Sequence, residues 1–217
     1  MIARNVFSIL AAVLAILVGF YPSVYFFVDE KFGLLQSKSD AVLSSFIWNI
    51  GFYTHIVLGG LALLTGWSQF NKKIRTKKLR LHRLLGKIYV VSVFLSAIAG
   101  FYIAFFATSG IIASVGFIML ALLWFYTTLR AYMYIRNLNI DKHQEMMIYS
   151  YALCFAAVTL RIWLPLLTML FHDFTPAYRI VAYLCWVPNL IVAYLLVKQL
   201  RKERAAGNKE NIAISNI

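Results

Sequence analysis

The chain has 217 residues, of which 62% are apolar and only 13% charged, against about 45–50% and about 25% in an ordinary soluble domain. With a mean hydropathy of +0.76, a single globular core of this length buries such a surplus only by leaving almost nothing polar for its surface. Soluble enzyme, secreted disulfide scaffold and disordered chain are excluded on this ground. The two cysteines, Cys154 and Cys185, stand inside apolar runs without CxxC spacing. They read as small buried hydrophobes and not as a disulfide or a zinc pair.

Six apolar stretches follow one another at about 6–28, 44–70, 85–107, 111–134, 146–171 and 178–197. Each reaches about 20 residues, enough at 1.5 Å per residue to cross a hydrocarbon layer of about 30 Å. In lipid the backbone groups have only one another as partners, so the stretches are helices. The expected fold is an all-α integral membrane protein, a bundle of six transmembrane helices over residues 1–200 with a basic tail over 201–217. The first stretch is too long for a secretory-signal core, and the chain from Gly207 onward reads as a frayed tail.

The net charge of +13 is unevenly placed. Lys72, Lys73, Arg75, Lys77, Lys78, Arg80 and Arg83 form a basic segment with no acidic residue, which the positive-inside rule assigns to the cytoplasm. An even number of spans then puts Arg4, the Arg130–Lys142 loop, and Lys198, Arg201, Lys202, Arg204 and Lys209 on the same side. Only Lys31, Lys38 and Arg179 remain opposite, so both termini are expected inside. The basic segment has enough charge to attract anionic lipid headgroups. No phosphate-cradling or base-reading motif occurs, so nucleic acid is not an expected partner.

Chemistry in such a chain must come from polar groups at unexpected depth. Arg161 lies about 15 Å below the far boundary of the fifth stretch, too deep to reach headgroups easily. No acidic residue falls within the six stretches, so a bound anion, a carbonyl-bearing ligand or kinked backbone is its expected partner. Pro165 suits the last of these, because its missing N–H frees the Arg161 carbonyl. His55, Ser96 and Asn189 fall at about the same depth by the same arithmetic. Ser96 and Asn189 read equally as interhelical glue, and His55 as either a site residue or a structural histidine.

Gly51, His55, Gly59, Ala62 and Gly66 share one helical stripe, suited to close helix packing and also to a flat macrocycle. His143, Met147, Ser150, Cys154 and Arg161 share a face of the fifth helix. His82, followed one turn later by Gly86, stands at the same inner depth as His143. The two could jointly ligate a haem iron, or be interfacial histidines beside polar loops. His172 closes the fifth stretch at the far end.

The stretch His55–Gly59–Gly60, the pair His82–Arg83 before Gly86–Lys87–Ile88–Tyr89–Val90, His143, the run Phe155–Arg161 and Trp186–Val187–Pro188–Asn189 together resemble the bacterial predicted-membrane-protein family known as domain of unknown function 2306. In the family pattern a His-Arg pair and a Trp-Met pair surround the position of His143. Gln144 and Met146 replace the arginine and tryptophan here. The resemblance implies a bacterial cytoplasmic-membrane protein of unassigned activity.

Three functional classes follow. The first is a b-type haem- or quinone-linked electron-transfer protein, with His82 and His143 as axial ligands and Arg161 on a propionate or quinone carbonyl. The second is a transporter or channel for a small anion, with Arg161, His55 and Asn189 at its midplane. The third is a non-catalytic assembly protein working with a membrane redox or assembly partner. The redox class accounts for more of the matched positions.

Overall fold

A computed structural model describes residues 2–28 and 33–215, with side chains over 10–28 and 33–207. Lys31 and the side chains of Arg4 and Lys209 lie outside the described residues. Every described element is helical. Helix α1 (Ile2–Phe20) runs into a 3-10 turn, Tyr21–Phe26, and a second such turn (Gly33–Ser37) precedes the short α2 (Asp40–Leu43). Then come α3 (Phe46–Gln69), α4 (Lys72–Lys77), α5 (Leu79–Ala104), α6 (Ile111–Arg136), α7 (Ile140–Cys154), α8 (Ala156–Phe171), α9 (Phe174–Leu184) and α10 (Val187–Ser215).

Among the described residues five helical units are long and apolar enough to cross a membrane: Phe46–Gln69, Leu79–Ala104, Ile111–Arg136, Ile140–Phe171 and Phe174–Gly207. The first expected stretch appears as a shorter apolar helix over Leu10–Phe26. Only 22–33% of the residues in the five apolar windows are buried. Val91, Leu95 and Ile98 of α5 and Ile191, Leu195 and Leu196 of α10 point outward instead. Apolar surface on this scale is what lipid covers.

Three boundaries differ from the sequence expectation. The basic segment is helical, because Asn71 Oδ1 accepts from the Lys73 and Ile74 amides and caps α4, and lysine and arginine are good helix formers. His82 therefore sits in the first turn of α5. The fifth stretch divides at Phe155, where the Val158 amide bonds to the Phe155 carbonyl in a tighter turn. The sixth divides at Cys185 and Trp186, ahead of Pro188, which stands in the first turn of α10 where no helical N–H is required.

The two breaks brace each other. Thr159 Oγ1 donates to the Cys185 carbonyl. Asn189 Nδ2 reaches Cys185 O at 2.9 Å, Thr159 Oγ1 at 3.2 Å and Ala152 O at 3.2 Å. Asn189 is thus interhelical glue, satisfying carbonyls that broken helices leave exposed.

Around this brace α3 packs along α5, α5 on α6, α6 on α7, α8 on α9, and α10 on α7. A hydroxyl chain ties the centre together: Tyr89 to Ser150 at 2.7 Å, Ser150 to Thr128 at 2.6 Å, and Thr128 to the Trp124 carbonyl at 2.8 Å. The glycine stripe of α3 is a packing seam, filled by side chains from α5 and α7. At Gly60 the neighbour is α1 itself, since a Cβ there would lie 2.5 Å from the Gly19 carbonyl. Gly60→Ala must therefore push two backbones apart. We expect it to cost about 1–3 kcal/mol, read as a lower melting temperature in detergent together with faster amide exchange in α1.

Candidate functional site

His55 and Ser96 clasp across the α3–α5 seam. His55 Nδ1–H donates to the Ser96 carbonyl at 2.9 Å, and Ser96 Oγ donates to the His55 carbonyl at 2.9 Å. Because a carbonyl can only accept, the ring carries its proton on Nδ1 and keeps Nε2 as an acceptor. Gly100 makes this possible, since a Cβ at that position would lie 2.7 Å from His55 Nδ1.

His55 lines a cavity of about 220 Å³ shared with Arg161, Trp48, Trp124, Cys154 and Lys38. An apolar cavity of about 150 Å³ holds benzene, so this volume suits a single substituted ring. The walls are otherwise apolar, including Phe52, Phe117 and Leu160. Among the described residues the lining holds two cations and no carboxylate.

Arg161 enters from α8. Its Nη1 donates to the Ala157 carbonyl at 2.9 Å, one turn back. Its guanidinium lies 4.5 Å from the centre of the Tyr21 ring, a cation–π contact. The Nε–H is buried without a hydrogen-bond partner, and so is Trp48 Nε1. A buried donor left unpaired costs about 1–3 kcal/mol. Two of them on residues of one cavity point to an acceptor-bearing occupant. Trp124 Nε1 is also without a bond of normal geometry, beside the Tyr89 hydroxyl.

Lys38 closes the cavity at the end away from the basic segment, donating to the Phe106 carbonyl. Burial pushes its amine down to about 8. The unfolded chain, with an ordinary lysine near 10.4, binds more protons than the folded one between those values. Stability should therefore rise with pH from about 8 to about 10.4. Melting temperatures across this range should show that rise in the native chain and a smaller one in Lys38→Met.

The inner histidines form a separate place. His143 Nδ1–H donates to the Ala131 carbonyl at 2.8 Å, leaving Nε2 free, and His82 Nδ1 is buried without a partner. The two rings lie within electrostatic reach of each other. Neither lines the cavity, so His55 belongs with Arg161 and not with them. Among the described residues no three histidine, cysteine or acidic side chains gather as a metal site. Cys154 and Arg161 do share the cavity wall as their common face suggested, despite the break at Phe155. Asn189 does not line the cavity. His172 ends α8 in the left-handed conformation, with φ 51°, as a helix terminus.

One charged cluster escaped the sequence reading. Glu145 is 6% exposed and accepts from Arg201 Nε at 3.0 Å and Arg201 Nη2 at 2.6 Å. Arg204 adds Glu145 at 3.3 Å, Asp141 at 3.2 Å and the Gln144 side-chain oxygen at 2.8 Å. Arg204 thus places a cation on the Gln144 side chain. The signal was present as two acids four residues apart, Asp141 and Glu145, just before the fifth stretch and two arginines three residues apart just after the sixth.

These features define a multi-pass helical membrane protein with a small, largely apolar cavity inside its bundle that His55, Arg161 and Lys38 punctuate. The family described as predicted membrane protein (DUF2306) matches residues 52–197, and the chain belongs to that family. No curated protein and no solved structure matches it.

Proposed function

We propose that the protein is a membrane redox protein holding a quinone-type ring in the His55–Arg161 cavity. It would do so as a six-span bundle with both termini on the cytoplasmic side of a bacterial membrane. The observation that carries the reading is the pair of unpartnered buried donors, Arg161 Nε and Trp48 Nε1, on the walls of one ring-sized cavity. An oxidised quinone offers carbonyl oxygens to such donors. A reduced quinol offers hydroxyls, which His55 Nε2 can accept. The apolar walls suit the ring, and a lipid-dissolved ligand reaches them without crossing water.

Titration of a short-chain ubiquinone analogue into the protein in nanodiscs tests this through tryptophan quenching. Saturable quenching, reduced in Trp48→Phe, is expected. Quenching that rises without saturation, as from simple partitioning, would overturn it. Competition by benzoate as strong as that by the quinone would favour an anion site instead.

A second reading is supported by the inner histidines. His143 donates Nδ1–H to the Ala131 carbonyl and keeps Nε2 available, as an axial haem ligand does, and His82 lies within electrostatic reach of it. It predicts a Soret band in protein expressed with ample haem, lost in His82→Ala or His143→Ala. A colourless preparation would dismiss it.

A further inference from the structure

Independently of the cavity, α10 carries a stripe on which Tyr194, Lys198, Arg201 and Ala205 recur at steps of four, three and four residues, with Val197 and Lys202 beside them. Together with Tyr149 of α7 these residues line a groove of about 320 Å³. The groove spans the point where α10 turns from apolar to charged, so Tyr194 and Val197 form its apolar end and Lys198, Arg201 and Lys202 its basic end. Arg201 uses Nε and Nη2 on Glu145, which leaves Nη1 for another acceptor. Lys198 and Lys202 are exposed. The groove contains no acidic lining residue.

We propose that this groove between α7 and α10 binds the headgroup phosphate of an anionic glycerophospholipid, with the acyl chains lying along the apolar surface past Tyr194. The chemistry follows from the gradient. A phosphate needs charge-assisted donors, a lipid needs those donors at the level where hydrocarbon ends, and tyrosines favour that level. Basic pockets between helices on the side rich in lysine and arginine are the form such recognition takes. A soluble phosphate ester would make no use of the apolar end.

Native mass spectrometry from micelles containing equal phosphatidylglycerol and phosphatidylcholine tests the assignment. The native chain should retain phosphatidylglycerol selectively. Lys198→Gln with Lys202→Gln should weaken that retention about 30-fold, about fivefold for each lost cation. Lys198→Arg with Lys202→Arg should keep it, which separates recognition from a fold defect. Lys72→Gln with Lys73→Gln removes the same charge from α4, where attraction to headgroups is diffuse, and should weaken retention clearly less than the Lys198 and Lys202 pair does. Equal losses in the two glutamine pairs, or retention unaffected by Lys198 and Lys202, would overturn the proposal. Displacement of the lipid by millimolar inorganic phosphate would also overturn it, by showing a free-anion site.

Discussion

Arg161→Ala should lower the affinity for a short-chain quinone about 10- to 100-fold while leaving the helix bundle folded. A hydrogen bond to a charged partner contributes about 1.5–3 kcal/mol, and each 1.4 kcal/mol is about tenfold in affinity. The fold should survive because the side chain makes few interactions that others depend on. Its hydrogen bond goes to Ala157 in its own helix. Its stack on Tyr21 is worth about 0.5–2 kcal/mol, and losing it is offset by no longer desolvating a charge beside which the described residues place no carboxylate. Arg161→Lys should bind with intermediate strength, since it keeps the charge but lacks the planar fork. Isothermal titration in nanodiscs measures both, and an unchanged affinity in Arg161→Ala removes this residue from the site.

Glu145→Gln should be the most destabilising single change at the basic end. The carboxylate is buried and takes three donors from Arg201 and Arg204. The amide keeps the shape but removes the charge and part of the accepting capacity. Arg201 is 64% exposed along its side chain, so water takes over part of what is lost. The expected cost is about 1–3 kcal/mol, the range for hydrogen bonds to charged groups after that compensation. The loss should be local before it is global. Amide exchange should speed up in α10 beyond Lys198, while the Tyr89–Ser150–Thr128 chain and the cavity remain protected. A unit melting as one, with no early loss in α10, would show that this cluster does not act as a clasp.

The helical membrane character was legible because it depends on composition and length alone. Both survive any error in where a helix starts. Boundaries were less legible: α5 begins at Leu79 because lysines and arginines continue a helix as readily as they interrupt a hydropathy plot. Counting 1.5 Å per residue along each stretch puts Arg161, His55, Ser96 and Asn189 at one expected level. Which of these residues face one another depends on helix order and rotation, which one sequence does not carry. Asn189 shows the consequence. It shares the expected depth, yet it faces the paired breaks at Phe155 and Cys185 and not the cavity.

The central claim is that the His55–Arg161 cavity is a ligand site for a quinone-type ring within the membrane. Photo-crosslinking with an azido-quinone in nanodiscs, followed by peptide mapping, tests it most directly. Label should concentrate on the cavity-lining segments of α3 around His55 and of α8 around Arg161, and fall when unlabelled quinone is added in excess. Label confined to outward residues such as Val91, Ile98 and Leu195, with no protection by excess quinone, would contradict it.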